Sequence, residues 1–365
     1  MIVYYSILAY LLYLGIVKKL SEKYDKSENI ILIIASLVLF FFAAMRSIDI
    51  GADTRQYCSH FIKISETHWK DLPQYSNKYW GDIEWGFKIL SKLLSVFKNQ
   101  QTITIVHSIL QIGLISIVVF KQSSNKWLSI FLYFTLCFYQ TALNLTPSSF
   151  VSYFIFLSFP FIKDRRIIPF LLFIAIGMFF HTSAIFFIPL FFLYKIPVNK
   201  KVFIIVLFGT IMLFLFYPIF INIISLIIPN KYIGYIDGSK EHMGNTVELI
   251  VLFVQIVGVF FCLLLIDKND RNKIIRNNQL VFWILMYETI LYLLSIKSSM
   301  FQRGAFLFSP YIIIIIPNII NQIKVERRKF IAIAGIIVYG ISLYFLRVNV
   351  NNVGTTMPYK FFFND

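Results

Sequence analysis

Long apolar runs recur along the whole chain and are separated by short polar or basic segments. A run of about 20 apolar residues can cross a hydrocarbon core about 30 Å thick as a helix, whereas the strands of a membrane β-barrel read as shorter alternating segments. The pattern therefore predicts an all-α polytopic transmembrane helical bundle. It places twelve spans, which begin near residues 3, 29, 102, 127, 148, 167, 182, 202, 247, 279, 304 and 329.

The composition agrees with this interpretation. The 365 residues are 58% hydrophobic and 14% charged, a balance that excludes a soluble globular domain of this length. No internal repeat and no low-complexity linker divides the sequence, so residues 1–365 are interpreted as a single integral membrane domain. The opening run MIVYYSILAYLLYLGIV has no basic segment before it, and we expect it to be a retained first helix rather than a signal peptide.

The positive charge follows the predicted loops. The formal net charge is +16, and the basic residues lie in short segments between the apolar runs. If the spans alternate strictly, six basic segments share one side: KKLSEKYDK, KQSSNK, KDRR, KIPVNKK, DKNDRNKIIRNN and KVERRK. The positive-inside rule makes this the cytoplasmic side and places both termini outside. We therefore expect these charges to meet the lipid bilayer and not nucleic acid.

The first outside loop, residues 46–101, contains an amphipathic segment from Glu84 to Lys98. At helical spacing one face carries Phe87, Leu90, Leu94 and Phe97, and the other carries Lys88, Ser91, Lys92 and Ser95. Such a segment predicts a helix that lies in the membrane interface. Two roles stay open for it: a connector, or a helix that holds an anionic headgroup.

The same topology gathers the unusual polar residues on the outer side. They are Arg46, Asp49, Asp53, Thr54, Arg55, Gln56, Tyr57, Asp82, Glu84, His181, Gln302 and Arg303. Several have a local explanation: Arg46 as an interfacial anchor, Asp53 with Thr54 as a turn or helix cap, and His181 as part of a tight hairpin. Ionisable groups that converge from separate segments on one face of a membrane protein nevertheless favour a functional site.

These residue types suit phosphate chemistry. Arginines present planar, permanently charged donors that match phosphate oxygens, so the cluster suits a pyrophosphate leaving group. A carboxylate or a neutral imidazole nearby could take the proton of an attacking hydroxyl, and the rings of Tyr57, Trp80 and Trp85 could stack on sugars. The sequence has no glycine-rich nucleotide loop, which favours a lipid-linked donor. The three cysteines have no metal-ligand spacing and are interpreted as packing residues. We expect no cofactor and no obligatory metal, because fixed arginines can neutralise a diphosphate, although the sequence also has carboxylates that could hold Mg²⁺.

Four stretches of the sequence carry a family resemblance. They are, in chain order, MRSIDIGADTRQY, IEWGFKILSKLLSVF, FFHTSAIFFIPLFFL and FQRGAFLFSPYIIIIIP. Together they resemble the EpsG family of polytopic bacterial proteins, which includes Wzy-type O-antigen and exopolysaccharide polymerases. The most specific string is carried by Arg46, Ser47, Gly51, Asp53, Thr54 and Tyr57. Where many members of the family have Glu-Pro-Gly, this chain has Glu84, Trp85 and Gly86.

The resemblance implies a glycosyltransferase that polymerises a polysaccharide. A growing glycan would pass from one undecaprenyl diphosphate carrier to a new undecaprenyl-diphosphate-linked repeat unit, at the periplasmic face of the bacterial inner membrane. Arg46 and Arg303 would stabilise the departing pyrophosphate, and His181, Asp53 or Glu84 would be the general base. If Arg46 pairs with Asp53, both become scaffold. A chain-length regulator is a further candidate partner. The candidates for substrate binding are Thr54, Arg55, Tyr57, Lys88, Lys92 and Gln302.

Three other functions would use similar residues. A single-addition glycosyltransferase or ligase with the same lipid donor would share every residue named above. A flippase or transporter of lipid-linked oligosaccharides would need charged groups near the middle of spans, where only Glu248 and Glu288 come close to the pattern. A membrane O-acyltransferase also uses a histidine and arginines, but its donor would come from the cytoplasmic side.

Overall fold

The computed structural model describes residues 1–21, 27–77, 81–144, 146–225 and 246–364. These residues are almost entirely helical, as the sequence predicts. The exception is a two-residue antiparallel pair in which β1 (Ser76–Asn77) pairs with β2 (Gly81–Asp82). Trp80 lies outside the described residues, and so does most of the predicted outside loop before residue 246.

The α-helices of the described residues vary widely in length. They are α1 (Ile2–Leu20), α2 (Ser27–Ala44), α3 (Thr54–Glu66), α4 (Trp85–Leu94), α5 (Gln101–Gln122), α6 (Lys126–Thr135), α7 (Phe138–Ala142), α8 (Pro147–Phe156), α9 (Phe159–Lys163), α10 (Ile167–Phe180), α11 (Ile188–Leu193), α12 (Lys200–Leu215), α13 (Tyr217–Ser225), α14 (Thr246–Leu264), α15 (Lys268–Asn277), α16 (Gln279–Ser295), α17 (Ser299–Phe308), α18 (Ile312–Ile320) and α19 (Glu326–Phe345). Short 3-10 turns lie at Trp69–Gln74, Ser95–Phe97, Thr182–Phe187, Ser309–Tyr311, Val353–Thr355 and Phe362–Asn364, and a π turn lies at Leu346–Val350.

Fewer helices of the described residues have the length and hydropathy of a membrane span than the twelve that the sequence predicts. Among the described residues, five helical segments are long and apolar enough to cross a membrane: 2–20, 27–44, 101–122, 301–320 and 326–350. A sixth results if α12 and α13, which meet at an angle of 86°, form one broken span. The predicted twelve spans are therefore not confirmed.

Local backbone features explain why several predicted spans are short. The run that begins near residue 127 breaks at Cys137, whose φ of 66° lies in the left-handed region. The Asn125 side chain caps α6 by accepting from the Leu128 amide over 3.1 Å, so this helix has a defined start as well as an early end. The run that begins near 182 forms a 3-10 turn and then α11. Hydropathy alone does not register such breaks.

Two compact units make up the described chain. The first comprises Met1–Leu157, Ala175–Thr182 and Ile313–Asp365, and the second comprises Ser158–Ile174 and Ser183–Ile312. In the first unit α1, α2, α5 and α6 surround an apolar core. Gly15 permits close packing there, because a Cβ at this position would lie 2.3 Å from the Trp127 ring.

The second unit is organised by α16 and α17. The ring centroids of Phe187 and Phe308 lie 4.4 Å apart, and Phe159 packs edge-on against Tyr311 at 4.8 Å. Glu288 on α16 is buried and accepts a hydrogen bond from the Ser309 hydroxyl over 2.6 Å. That hydroxyl also lies 3.1 Å from the Tyr292 hydroxyl. Glu288, an acidic residue within an apolar run of the sequence, is thus held by a hydrogen bond within its own unit.

The loop after α2 has a small core of its own. Cys58, Phe61 and Ile64 of α3 pack with Phe87 of α4. Lys88 and Ser91 of the predicted polar face are fully buried, so the predicted separation of a polar and an apolar face is wrong at these two residues. Leu93, Val96 and Phe97 are exposed. Phe87 of the predicted apolar face is buried as well, so docking on α3 covers residues of both predicted faces, and the Lys92 Nζ donates to the Ser65 carbonyl oxygen over 2.8 Å.

The C-terminal tail, residues 351–363, lies against the segment that follows α2. The Ser47 amide donates to the Lys360 carbonyl oxygen over 2.9 Å, and the Phe362 amide donates to that of Met45 over 3.0 Å. These two bonds flank an antiparallel bridge between Arg46 and Phe361. The tail therefore covers the first residues of the predicted outside loop.

Candidate functional site

Arg46 is the central feature of the first unit. It follows α2 directly and is 0% exposed. Its Nη1 donates to the Ala43 carbonyl oxygen and to the Ser108 hydroxyl oxygen, the latter over 3.0 Å. Nε and Nη2 are buried and have no hydrogen-bond partner among the described residues. The guanidinium is thus positioned by the hydrogen bonds of Nη1, and its Nε and Nη2 donors are available to a ligand.

The surroundings of Arg46 are polar but neutral. The groups that act on it electrostatically are the hydroxyls of Tyr4, Tyr139 and Tyr359 and the thiol of Cys58. Burial lowers the pKa of Arg46 to about 10. Within the described residues no carboxylate lies at ion-pair distance from the guanidinium. A buried cation without a counter-charge is costly, and this cost favours a role in binding an anion.

One face of α5 carries a row of buried polar residues and contacts Arg46 through Ser108. Its buried polar residues are Gln101, Thr104, His107, Ser108 and Gln111. The Gln101 Nε2 donates to the carbonyl oxygens of Ala44 and Arg46 over 2.6 and 3.1 Å, which fixes the chain as it leaves α2. The helical spacing of these five residues was visible in the sequence as a polar stripe within an apolar run, and our sequence analysis did not single it out.

His107 is a buried residue of this face that the sequence analysis missed. Its Nε2 lies 2.8 Å from the Ser149 hydroxyl oxygen and 3.3 Å from the Thr146 carbonyl oxygen. Its Nδ1 is buried and has no hydrogen-bond partner among the described residues. The Arg46 charge acts on His107, and the guanidinium binds Ser108, the next residue on α5, so both groups belong to the same part of this helix.

Asp53 lies at the N-cap position of α3, but its carboxylate does not cap the helix. The Asn144 Nδ2 donates to its Oδ2 over 2.7 Å, and the Asp53 amide donates to the Asn144 Oδ1 over the same distance. The turn before it requires Gly51, whose φ is 97° and where a Cβ would lie 2.7 Å from the Asn144 Cα. Thr54 is buried beside it. These contacts fasten the loop after α2 to the turn before α8.

Glu84 and His181 lie at the ends of two helices that touch. Glu84 is the N-cap residue of α4, and His181 follows α10 directly. A Cβ at Gly86 would lie 2.6 Å from the Phe180 ring and 2.8 Å from the Phe179 carbonyl oxygen, so the two helix ends are in close contact. Both predicted site residues are half-buried.

Aromatic packing connects this pair of helix ends to His107. The Phe180 ring packs edge-on against Phe150 at 5.4 Å, and Phe150 packs edge-on against the His107 imidazole at 5.9 Å. The first unit therefore brings together four segments that are far apart in sequence: the end of α2, the polar face of α5, the start of α8 and the junction of α4 with α10. Arg46 and His107 lie at its buried side, and Glu84 and His181 at its half-exposed side.

Comparison with known families shows the family of this chain. The model of the EpsG family matches residues 29–361, nearly the whole chain. The chain belongs to the EpsG family. The EpsG family is a Wzy-like polymerase family, so the resemblance seen in the sequence is confirmed. No curated protein and no solved structure matches the chain. The matched range includes every residue described above for the candidate site except Tyr4.

Other predicted site residues of this EpsG-family chain lie apart from Arg46. The Arg55 side chain is 73% exposed and forms an ion pair with Asp49. Tyr57 packs edge-on against Phe87 at 5.0 Å, so its ring is part of the small loop core. The Lys88 Nζ lies 5.1 Å from the centroid of the Trp85 ring. Each of these residues is explained by local packing or by pairing.

Gln302 and Arg303 belong to the second unit. Both lie on α17, where Gln302 is half-buried and Arg303 is exposed. Gly304 beside them packs closely on the Phe186 ring. As for metals, the described residues contain no group of three or more His, Cys, Asp or Glu side chains placed to hold an ion.

Proposed function

We propose that this protein is a polysaccharide polymerase that transfers a growing glycan from undecaprenyl diphosphate to a lipid-linked repeat unit at the outer face of the bacterial inner membrane. Membership of the EpsG family supports a polysaccharide polymerase role in general terms. The apolar helices support a multi-pass membrane protein, which can meet lipid-linked substrates from within the bilayer. The specific donor and the direction of transfer belong to the proposal.

The observation that carries the proposal is Arg46. Its unpartnered Nε and Nη2 are charge-assisted donors in a water-poor setting, where they bind phosphate oxygens more strongly than they would in water. The anomeric carbon of the donor carries a diphosphate leaving group, on which negative charge builds as the glycosidic bond forms. A fixed guanidinium stabilises that charge without rearranging during the reaction.

The predicted topology supports an outward-facing site. The segments that strict alternation places outside include the loop after α2, the turn at Asn144, the His181 junction and the C-terminal tail. In the first unit these four meet one another through the Asp53 bonds to Asn144, the Gly86 contact with Phe180 and the bonds of Ser47 to the tail. Their convergence at one end is what an outer active site requires.

Substrate access and the role of Asp53 follow from the same geometry. Arg46 is covered by the C-terminal tail, so a diphosphate reaches it only when residues 351–363 move aside.

Asp53 is engaged by Asn144 and not by Arg46, so we assign it to holding the loop rather than to proton transfer. Glu84 and His181, on the half-exposed side, are placed to meet the acceptor glycan.

The test is the length distribution of the glycan in a deletion strain complemented with the wild type, Arg46→Gln or Arg55→Gln, with membrane expression measured for each. We expect a ladder from the wild type and from Arg55→Gln, and a single repeat unit from Arg46→Gln. A ladder from well-expressed Arg46→Gln would reject Arg46 as the diphosphate ligand. A deletion strain that lacks lipid-linked repeat units altogether would place the protein in their assembly or flipping and would reject the polymerase.

A further inference from the structure

We propose that His107 is the general base of the transfer reaction and accepts the proton of the attacking hydroxyl on its Nδ1 atom. The inference rests on the proposed function and adds to it a catalytic residue on α5. It starts from the hydrogen bonds of the imidazole, which determine where the ring carries its proton.

The Nε2 atom of His107 is the protonated nitrogen. It faces the Thr146 carbonyl oxygen, which only accepts, and the Ser149 hydroxyl oxygen. The Ser149 hydroxyl donates its own proton to the Thr146 carbonyl oxygen over 2.8 Å, so towards His107 it acts as the acceptor. Both contacts therefore require an N–H at Nε2. A neutral ring with that proton has a bare lone pair at Nδ1.

The ring is neutral in this arrangement. A second N–H, at Nδ1, would be a buried donor without an acceptor, since the structure gives Nδ1 no partner within the described residues. It would also add a positive charge near Arg46, which has no carboxylate at ion-pair distance among the described residues. The hydrogen bonds from Nε2 to Ser149 and Thr146 hold the ring in one orientation, as the orienting partner of a catalytic imidazole does.

The position of Nδ1 suits the second half of the same reaction. Arg46 offers donors for an anionic leaving group, and His107 offers an acceptor for an O–H. The ligand that satisfies both groups carries a diphosphate and a sugar hydroxyl, which are the two reacting parts of a glycosyl diphosphate and its acceptor. Arrival of the diphosphate neutralises Arg46, so the imidazole is then able to become positively charged.

The proposed step is a displacement at the anomeric carbon of the donor. The acceptor hydroxyl oxygen forms a bond to the anomeric carbon, the bond from that carbon to the diphosphate oxygen breaks, and the bonding electron pair leaves with the diphosphate. The hydroxyl proton moves to Nδ1 and gives an imidazolium, which afterwards releases it to the departing diphosphate or to water. Removal of a general base typically costs a rate factor of about 10²–10⁴.

The test uses full-length protein in nanodiscs with a lipid-linked repeat unit. The variants are His107→Gln, whose amide nitrogen can replace Nε2 but offers nothing at Nδ1, and the control Gly113→Ala on the same helix, where nothing lies within 4 Å of an added Cβ. We expect His107→Gln to lose at least about 10²-fold in maximal rate. We also expect undecaprenyl diphosphate to raise its melting temperature as it does for the wild type, and Gly113→Ala to keep the wild-type rate.

Each outcome decides the question. Wild-type rates from His107→Gln would overturn the inference and leave the polymerase intact. If His107→Gln does not fold, the pH dependence of the wild-type rate decides: a base at Nδ1 gives a maximal rate that falls as acid protonates the imidazole, and a rate that does not change with pH overturns the inference. A wild-type protein that lengthens no glycan under these conditions would reject the proposed function itself, before any variant is compared.

Discussion

The Nη1 atom of Arg46 donates to the Ser108 hydroxyl oxygen over 3.0 Å, and this bond joins the end of α2 to the face of α5 that carries His107. The Ser108 hydroxyl donates in turn to the Thr104 carbonyl oxygen over 2.8 Å, so its lone pair is directed at the guanidinium. The contact positions Arg46 without neutralising it. Binding of an anion would supply the charge that Ser108 does not.

Replacing Arg46 by Met should stabilise the protein and abolish its activity. The pKa of Arg46 is lowered by burial to about 10, below its ordinary value of 12.5, so the charged form is penalised in the fold. This loss of folding stability is fully present below pH 10, where Arg46 is charged in both states, and disappears only above the pKa of the unfolded chain, where Arg46 is neutral in both. At about 1.4 kcal/mol per pKa unit it amounts to roughly 3 kcal/mol. Arg46→Met also loses the hydrogen bonds of the guanidinium, which offsets part of this effect. We therefore expect the free energy of unfolding to rise by an amount on the order of 1–3 kcal/mol.

The measurement is thermal unfolding of the detergent-solubilised protein at neutral pH, with Arg55→Met as the control. Arg55 is exposed and paired with Asp49, so its replacement should change stability by less than about 1 kcal/mol. A lower melting temperature for Arg46→Met than for the wild type would show that Arg46 is a structural anchor.

Asp53 and Asn144 should behave as one unit. Two hydrogen bonds of 2.7 Å join them, so removing either side chain leaves the other with an unpaired polar group. We expect Asp53→Ala and Asn144→Ala to lower stability each, and the double variant to lose little more than one of them. The coupling energy should be about 1–3 kcal/mol in a double-mutant cycle of unfolding free energies. Additive losses would show that the two residues act independently, and would reopen a direct role for Asp53.

Gly86 should tolerate no side chain. A Cβ there would meet the Phe180 ring at 2.6 Å and the Phe179 carbonyl oxygen at 2.8 Å, so Gly86→Ala must separate α4 from the end of α10. We expect shorter glycan chains from membranes that contain normal amounts of the protein, because Glu84 and His181 then move apart.

Gly113 supplies the matched control for Gly86. It also lies on a helix, α5, but nothing lies within 4 Å of a Cβ built on it. Gly113→Ala should therefore leave glycan length unchanged and raise stability by about 0.5–1 kcal/mol through helix propensity. Equal glycan lengths from Gly86→Ala and Gly113→Ala would mean that the contact between Gly86 and Phe180 is not needed for activity.

Locking the C-terminal tail should inhibit the protein reversibly. Ser47 and Lys360 are paired beside the bridge of Arg46 to Phe361. Hydrogen-bonded antiparallel pairs have Cα atoms about 5.5 Å apart, which lies within the range of a disulfide. We expect the oxidised double variant Ser47→Cys with Lys360→Cys to form no polymer, and reduction to restore it, because the tail covers Arg46. The single variants are the controls, since the natural cysteines Cys58, Cys137 and Cys262 are all buried. Full activity of the oxidised form would show that substrate enters by another route.

The sequence predicted the helical class and the segments that meet, but it was less successful with individual side chains. It placed the loop after α2, the turn at Asn144, the His181 junction and the tail on one side, and the first unit brings them into contact. It assigned Lys88 to the polar face of an interfacial helix, whereas that residue is fully buried. Helical periodicity shows that a helix has two faces, and packing decides which one turns inward.

What the sequence determined by itself is the membrane class and the EpsG resemblance, because hydropathy and short motifs are local properties of the chain. The tertiary structure alone decided that Arg46 is buried with no carboxylate at ion-pair distance in the described part of the chain, that Asp53 binds Asn144 instead, and that the buried Nδ1 of His107 has no hydrogen-bond partner there. Charge pairing and burial depend on contacts between residues that are tens or hundreds of positions apart. No local pattern specifies which of those partners a side chain reaches.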